Sequence, residues 1–368
     1  MMELERKKQY LLLEGKTYTP EDVRHLVAAG NIEQDTPMWS LFMFLHDWFN
    51  DAPVLTVQTS GSTGTPKKLI VRKDQMMQSA RLTCEYLKLH EGDSALLCMN
   101  LRYIGAMMMV VRSLVAGLNL ILRPASGHPL LDVEVPVRFA AMVPLQVYNT
   151  LQIQEEKEKL TKIDTLIIGG GAIDKALEQE IQTSPGFIYS TYGMTETLSH
   201  IALRRLNGAN ASDHYYPFTS VELSLSTEKT LIIHAPLLCD DVLQTNDVAH
   251  IYPDGSFVIL GRKDNIINSG GIKIQAEEIE KQLQSFLIYP FVVTFVEDQR
   301  LGQAVTLLIA GDVDLKKLDT IYQTVLTPYA HPQYTYSVTQ IPQTGNGKID
   351  RGACHILAQK LHGAGANK

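Results

Sequence analysis

Several residue patterns that define broad protein classes are missing from this sequence. The cysteines are far apart and no two form a CxxC pair, so nothing in their spacing indicates a zinc site or a disulfide framework. They are Cys84, Cys98, Cys239 and Cys354. The most apolar stretch, residues 104–122, is interrupted by Arg112, so it is typical of a buried helix and strand rather than of a membrane span. We therefore expect a cytoplasmic protein without membrane attachment.

The sequence also lacks a block of basic residues, internal repeats and low-complexity segments. Its 33 Lys and Arg against 40 Asp and Glu give a formal net charge of −7, which argues against nucleic-acid binding as the main function. The start of the chain mixes charges of both signs, and its apolar run is too short for a signal peptide. A chain of 368 residues with 45% hydrophobic residues is long enough for two globular domains with a sizeable core.

Strand-like and helix-like segments alternate through the first half of the chain. One example runs from "TLIIGGGA" (165–172) through a helical segment to "GFIYSTYG" (186–193), the pattern of a parallel, layered sheet. After residue 215 short strands and turns such as "PDG" (253–255) indicate a small antiparallel unit. An amphipathic helix is predicted over 274–286, with Ile274, Ile279 and Leu283 at helical spacing.

These patterns predict an α/β fold with two domains. A large layered N-terminal domain with a small antiparallel β unit is expected over residues 1–262, and a small α+β domain over residues 263–368.

The loop "TSGSTGTPKK" (59–68) is rich in hydroxyls, glycines and cations. It is not a GxxxxGK[ST] loop, yet its chemistry suits polyphosphate. Glycines permit close backbone approach, and successive N–H groups with hydroxyls form a concave set of donors. Lys67 and Lys68 supply positive charge. The alternative is a flexible surface turn.

Four further stretches favour a nucleotide site over isolated turns. They are "IIGGGAI" (167–173), "STYGMTET" (190–197), the segment 244–280, and "PQTGNGKIDR" (342–351). Taken singly, each also fits a structural role: a tight strand-to-helix turn, a core tyrosine with a helix cap, a hairpin turn, or a turn with a solvated lysine.

Together and in this order, the five stretches closely resemble the adenylate-forming superfamily of acyl-CoA synthetases, nonribosomal adenylation domains and luciferases. The resemblance covers nearly the whole chain, including residues 14–26 and 140–151. Only residues 1–58 precede the phosphate loop, so much of the family's first N-terminal subdomain is expected to be missing. The compact length and "YGMTET" are most similar to the subfamily that joins 2-succinylbenzoate to CoA in menaquinone biosynthesis.

The resemblance implies a reaction in two steps. A carboxylate attacks the α-phosphate of ATP, giving an acyl-adenylate and pyrophosphate, and the thiol of CoA then expels AMP. ATP and CoA are implied as co-substrates and Mg²⁺ as cofactor. The implied ATP-binding residues are Thr59, Ser60, Gly61, Ser62, Thr63, Gly64, Thr65, Lys67, Gly170, Gly171, Ala172, Tyr192, Gly193, Met194, Thr195, Asp247 and Arg262.

The resemblance also implies specific roles for single residues. The catalytic residues are Lys348, which would bridge the carboxylate and the α-phosphate, Thr195 at the α-phosphate, and Glu196. Glu196 would also hold Mg²⁺, a hard ion that prefers oxygen ligands. Asp247 would accept hydrogen bonds from the ribose hydroxyls, with Arg262 nearby.

The resemblance further implies a mobile C-terminal domain. Asp264 occupies the hinge position. Rotation there would withdraw Lys348 and bring in Gly270 and Gly271, which would line the tunnel for the pantetheine arm of CoA. An ordinary hairpin turn at 270–271 is the alternative.

Four residues are candidates for the acid pocket: Arg102, Tyr103, Ser199 and His200. The family often has an aromatic residue followed by histidine where this chain has Arg102 and Tyr103. We hypothesise that Arg102 pairs with the aromatic carboxylate of succinylbenzoate. The alternatives are a surface arginine at a helix start and, for His200, an ordinary helix histidine.

Three other functions compete with the succinylbenzoate assignment. The first is a ligase for another aryl or medium-chain acid. An amino-acid adenylation domain is less favoured, because no aspartate lies within 100–106 and no carrier domain follows. A non-catalytic relic is disfavoured by the joint presence of Glu196, Asp247, Arg262 and Lys348. A homodimer that covers the shortened N-terminal face is a further hypothesis.

Overall fold

The computed structural model describes residues 4–58, 68–311, 313–344 and 349–365. These form two compact units. The first contains the described residues of 4–222 together with 234–242, and the second contains 223–233 and the described residues from 243 onward. The domain boundary predicted between residues 262 and 263 falls inside the second unit, and it stays a prediction. No helix among the described residues has the length and apolar character needed to cross a membrane.

The first unit is built from a sheet with helices packed around it. In chain order its elements are β1 (Leu11–Leu13), β2 (Lys16–Tyr18), α1 (Pro20–Ala29), α2 (Pro37–Phe49), β3 (Val54–Gln58), β4 (Lys68–Arg72), α3 (Lys73–Leu87), β5 (Ser94–Leu97), α4 (Ile104–Ala116), β6 (Asn119–Leu122), β7 (Phe139–Met142), α5 (Pro144–Gln152), α6 (Gln154–Leu160), β8 (Thr165–Ile168), α7 (Lys175–Ile181), β9 (Phe187–Gly193), β10 (His200–Arg205) and β11 (Tyr216–Pro217).

Nine of these strands form one mixed sheet in the order β11-β10-β9-β8-β7-β5-β6-β1-β2. The strands from β9 to β1 are parallel, and the outer strands β10, β11 and β2 are antiparallel to their neighbours. The predicted layered parallel sheet is confirmed. In such a sheet the loops after the parallel strands meet at one edge, where ligands of α/β proteins bind.

Burial explains why the central segments form these elements. All residues of β7 and β8 are buried, as expected for parallel strands covered on both faces. The apolar stretch 104–122 forms α4 and β6 as predicted, and α4 ends at Gly117 with a left-handed φ of +67°. Gly117 is the residue type that tolerates this backbone best.

The described residues from 222 onward form two further sheets and three α-helices. Its elements are β12 (Glu222–Leu225), β13 (Thr230–His234), β14 (Leu243–Ile251), β15 (Phe257–Arg262), β16 (Ile266–Ser269), β17 (Ile272–Gln275), α8 (Ala276–Leu283), β18 (Phe291–Asp298), β19 (Gly302–Ala310), α9 (Leu315–Val325), β20 (Tyr334–Val338) and α10 (Arg351–Gly365). The predicted antiparallel unit is confirmed as the four-stranded sheet β12-β13-β14-β15.

The second sheet of this region has the order β17-β16-β19-β18, with β20 parallel to β19. Its apolar face packs against α8 through Ile279 and Leu283. The predicted helix over 274–286 is shorter than expected, and Ile274 lies in β17 instead. Its strand pairing with Ile267 decides the conformation at that position. The C-terminal helix α10 was not predicted from the sequence.

Candidate active site

The predicted phosphate loop connects two paired strands. β3 and β4 form an antiparallel hairpin in which Gln58 pairs with Lys68. The candidates Thr59, Ser60, Gly61, Ser62, Thr63, Gly64, Thr65 and Lys67 lie outside the described residues, as does Lys348. Gln58 also forms a parallel bridge with Tyr103. The structure therefore places Tyr103 beside the strand that leads into the loop.

The glycine stretch follows β8, next to the end of β9. Ile168 pairs with Ser190 across these parallel strands, which brings the two strand ends together. Gly170 has φ +81°, a backbone region that favours glycine. Gly170, Gly171 and Ala172 are exposed, and Tyr192 is half-buried at the end of β9. An exposed main-chain platform beside an aromatic ring is suited to an adenine base.

The "GMTET" stretch forms a tight turn between the antiparallel strands β9 and β10. The hydroxyl of Thr197 accepts from Met194 N at 3.0 Å and lies 2.8 Å from the Ser199 carbonyl oxygen. A side chain at Gly193 would overlap that carbonyl, so glycine is required there. Leu198 has a left-handed φ of +66°, a strained state for this residue type that occurs often at functional sites.

This turn carries two of the three predicted catalytic residues. Thr195 is half-buried and Glu196 is exposed. Within the described part of the chain, Glu196 has no ion pair, and no group of three or more His, Cys, Asp or Glu side chains could form a complete metal site. A single free carboxylate fits Mg²⁺, which usually takes one or two protein carboxylates together with phosphate oxygens and water.

A buried arginine lies below this turn, on α4. The side chain of Arg112 is 1% exposed. Its Nη2 donates to Ser199 Oγ at 2.6 Å, Nη1 reaches only Met109 Sδ at 3.7 Å, and Nε has no partner among the described residues. No carboxylate is paired with it in that part of the chain. Burial lowers the pKa of Arg112 to about 10, so the guanidinium is still charged at neutral pH.

A chain of hydrogen bonds leads from Arg112 to α3. Ser199 Oγ lies 3.3 Å from His200 Nδ1, and His200 Nε2 lies 3.2 Å from Thr83 Oγ1. Thr83 donates its hydroxyl to Ser79 O at 3.1 Å. The partners assign the proton of His200 to Nε2, with Nδ1 accepting from Ser199.

His200 is therefore held neutral. Burial, and after it the positive charge of Arg112, keep the pKa of His200 well below its ordinary range. His200 is the first residue of strand β10, so the alternative of a helix histidine is wrong. The left-handed residue Leu198 interrupts any helix two positions earlier.

Two arginines of the apolar-helix region, the candidate Arg102 and the unpredicted Arg112, differ in exposure. Arg102 is exposed in the turn before α4, where its N–H donates to Asn100 Oδ1 at 2.9 Å. Its guanidinium has no partner among the described residues. In the sequence alone, Arg112 stands out only as an interruption of an apolar run. That interruption was the available signal, since a lone charge on an otherwise apolar helix is costly unless it has a partner.

Three further candidates, Asp247, Arg262 and Asp264, form a cluster in the other compact unit. Asp247 on β14 faces Arg262 on β15, and Arg262 Nη1 donates to Asp247 Oδ1 at 3.1 Å. Arg262 Nη2 donates to Asp264 Oδ2 at 2.9 Å, and Asn246 donates to the same carboxylate. The predicted ribose-binding pair and the predicted hinge residue thus share one hydrogen-bond network.

Gly270 and Gly271 form the two-residue turn between β16 and β17. Their φ values are +57° and +84°, and the flanking residues Ser269 and Ile272 are paired. Positive φ at both positions is the requirement of a tight hairpin turn. The hairpin geometry is confirmed, and the role of the turn in binding CoA stays a prediction.

Comparison with known proteins identifies the family. The model of the AMP-binding enzyme family matches residues 31–230, more than half of the chain. Together with the mixed α/β fold, this defines an adenylate-forming enzyme, and the chain belongs to the AMP-binding enzyme family.

Among relatives, the 2-succinylbenzoate–CoA ligase of Bacillus cytotoxicus is 22% identical over 398 residues, covering 98% of this chain and 81% of that protein. The 2-succinylbenzoate–CoA ligase of Listeria monocytogenes is 23% identical, covering 90% and 78%.

Solved structures share the fold. An acyl-CoA synthetase (AMP-forming)/AMP-acid ligase II-like protein from Dyadobacter fermentans has a TM-score of 0.62 at 29% identity, covering 89% of this chain and 96% of that one. The o-succinylbenzoate coenzyme A synthetase from Bacillus subtilis, in complex with ATP and magnesium ion, has a TM-score of 0.72 at 17% identity, covering 94% and 96%.

Proposed function

We propose that this protein is an ATP-dependent, AMP-forming acid–CoA ligase whose acid carries a second carboxylate, and that the acid is 2-succinylbenzoate. The observation that carries the proposal is the buried, uncompensated guanidinium of Arg112 beneath the turn with Thr195 and Glu196. A buried cation without a counter-charge is costly unless a ligand supplies one. The names of the relatives support the same acid.

The first half-reaction joins two anions, so the protein has to supply positive charge and alignment. We assign this work to the loop 59–67 at the β- and γ-phosphates and to Lys348 between the acid and the α-phosphate. Gly170, Gly171, Ala172 and Tyr192 would hold the adenine. Thr195 would donate to the α-phosphate.

Glu196 would hold Mg²⁺, which supplies charge neutralisation for the phosphates. Its exposed and unpaired carboxylate supports this role. Asp247 would accept from both ribose hydroxyls, and Arg262, which donates to it from the neighbouring strand, would hold the carboxylate in place. We place the enzyme in the cytoplasm, where ATP and CoA are available.

Arg112, with Ser199 beside it, would bind the carboxylate that is not activated. Its Nε–H and Nη2–H lie on one side of the planar guanidinium, the arrangement that pairs bidentately with a carboxylate. His200 stays neutral and orients the Ser199 hydroxyl. Arg102 is the competing candidate for the same carboxylate.

For the second half-reaction we propose rotation of the C-terminal domain at Asp264. This would withdraw Lys348 and present the turn at Gly270 and Gly271 to the pantetheine arm of CoA.

The test is incubation with ATP, Mg²⁺ and CoA across a panel of acids, followed by mass spectrometry of AMP and acyl-CoA. The panel contains 2-succinylbenzoate, benzoate, 4-coumarate, octanoate and several amino acids. Succinylbenzoyl-CoA is expected, and its formation should be lost in Lys348→Ala. A product with a monocarboxylic acid alone would keep the ligase class and reject the dicarboxylate. Absence of AMP with every acid would reject the ligase.

A further inference from the structure

One side chain fastens the segment after the hinge residue to the strand before it. Gln275, the last residue of β17, donates from Nε2 to the carbonyl oxygen of Arg262 at 2.9 Å. Arg262 ends β15 and precedes Asp264, whereas Gln275 follows Asp264 in the chain. This hydrogen bond therefore spans the position at which rotation is proposed.

The amide of Gln275 is held in one orientation by a second partner. Its Nε2 also donates to Glu277 Oε2. Both acceptors require the nitrogen, so they assign the amide orientation. Glu277 in turn accepts from Asn265 Nδ2, and Arg351 Nη2 lies 3.9 Å from Glu277 Oε1. All these partners of Glu277 follow Asp264 in the chain, so they would move together.

The strand before the hinge leaves room for this contact. A side chain at Gly261 would overlap the Gln275 amide nitrogen and would lie 2.6 Å from Glu277 Oε2. Gly261 also has φ +152°, a conformation that L side chains rarely adopt. Glycine at this position is thus required both by the backbone and by the close approach of Gln275.

We propose that Gln275, oriented by Glu277 and admitted by Gly261, is a positioning residue for the two half-reactions. This inference rests on the proposed function, which supplies the rotation at Asp264. Rotation separates Gln275 from the Arg262 carbonyl, while the Gln275–Glu277 bond is carried along unbroken. The bond to Arg262 therefore stabilises the arrangement present in this structure over the rotated one. It therefore helps to set the relative populations of the two domain arrangements.

The experiment measures the two half-reactions separately in Gln275→Ala and Gln275→Glu. Adenylation is followed as pyrophosphate release from 2-succinylbenzoate, ATP and Mg²⁺ without CoA. Thioester formation is followed in a single turnover, by adding CoA to the preformed adenylate. The ratio of the two rates should change about fivefold or more, the size expected when one state loses one ordinary hydrogen bond. The change should be larger in Gln275→Glu, whose carboxylate would face the Arg262 carbonyl and Glu277.

A matched control is Gln152→Ala in the other compact unit. Gln152 also donates its side-chain amide to a main-chain carbonyl, that of Tyr148 at 3.3 Å. It should leave the ratio unchanged. An unchanged ratio in both Gln275 variants, or equal slowing of both half-reactions, would overturn the proposal, because a purely structural role affects both arrangements alike.

Hydrogen–deuterium exchange separates this inference from the proposed function. Amides of residues 263–268 should exchange faster in Gln275→Ala than in the wild type, without any acid present. If the wild type forms no adenylate with any acid, the proposed function fails and exchange alone decides. Unchanged exchange would then reject the role of Gln275.

Discussion

Two arginines, the half-buried Arg351 and the fully buried Arg112, have very different partners, and one lies in each compact unit. Arg351 at the start of α10 binds Glu280 through two contacts, at 2.6 and 3.1 Å, and donates to the Val293 carbonyl. Arg112 on α4 is more deeply buried, yet its one strong partner is the neutral Ser199 hydroxyl. The first cation is compensated within the fold and the second is not.

On the proposed function, this difference is the one between a structural ion pair and a group that binds substrate. For a paired buried charge, the attraction to its partner roughly offsets the free-energy cost of desolvation. An unpaired buried charge destabilises the folded chain. Arg351 is therefore expected to matter for stability and Arg112 for ligand binding. The comparison would fail if substitution of Arg112 changed only stability, or if substitution of the Arg351 pair changed only ligand binding.

The largest effect is expected from Arg112→Met, which removes the charge at similar volume. The KM for 2-succinylbenzoate should rise about 100-fold or more, the size of a lost buried charge–charge hydrogen bond. The KM for ATP should stay unchanged. The free energy of unfolding should stay equal or increase by about 1 kcal/mol, since a desolvated charge is removed. Steady-state kinetics and urea unfolding measure the two outcomes.

Arg138→Met is the control for this substitution. Arg138 precedes β7 and donates to Thr165 Oγ1 at 2.7 Å and to main-chain carbonyls. The variant should lose stability and keep the KM for the acid. A loss of stability in Arg112→Met without a change in KM would show that Arg112 is structural.

Glu280→Ala should give the next largest effect, this time on stability. It leaves Arg351 with only the more distant carboxylate of Glu277, 3.9 Å away, and the side chains of the original pair are only 28% and 17% exposed. We expect a loss of about 2–3 kcal/mol, less than for a fully buried pair because some solvent screening persists. The urea midpoint measures this change. A variant as stable as the wild type would show that the ion pair with Glu280 does not stabilise the fold.

A smaller effect is expected from pH, through His200. Its pKa in the folded chain lies well below the ordinary 6.5 of the unfolded chain. Below pH 6.5 the unfolded chain therefore binds a proton that the folded chain does not. Stability should fall with decreasing pH, by at most about 1.4 kcal/mol per pH unit for this group. Unfolding at pH 7, 6 and 5 measures the slope.

His200→Gln is the matched control for the pH series, because an amide can donate to Thr83 and accept from Ser199 without titrating. Its stability should depend less steeply on pH between 7 and 5. Equal slopes in the two proteins would show that His200 does not titrate as its burial implies.

The smallest effect is expected from Arg102→Ala. The exposed guanidinium stays hydrated, so an ion pair with the acid would be worth about 1 kcal/mol or less. The KM for 2-succinylbenzoate should rise less than tenfold. If this KM rose more than tenfold while Arg112→Met had no effect, Arg102 rather than Arg112 would be the residue that binds the second carboxylate.

Much of the fold could be predicted from periodicity and turns. The helix and strand over 104–122 and the antiparallel unit after residue 215 follow from local pattern. Strand order could not be predicted, since it depends on which buried strands pair. Ile274 shows the limit at a single residue, because it fits both a helix face and the pairing with Ile267, and only the sheet decides.

The candidate site could be predicted in part. The positions of the glycine stretch and of "GMTET" at adjacent strand ends follow from the parallel alternation of strands and helices. Arg112 could not be assigned a role, because its partner Ser199 is 87 residues away in sequence. The proposed role of Gln275 could not be predicted either, because it depends on Gly261, which lies on another strand.

On the proposed function, the uncompensated burial of Arg112 also makes the stability of the folded protein depend on which acid is bound. An acid that brings a carboxylate to this cation binds the folded chain and not the unfolded one. At a concentration 100 times its Kd, such an acid adds about 2.7 kcal/mol to the free energy of unfolding. Thermal melting in the presence of single acids can therefore rank substrates before any turnover is detected, with Arg112→Met as the protein in which the ranking disappears.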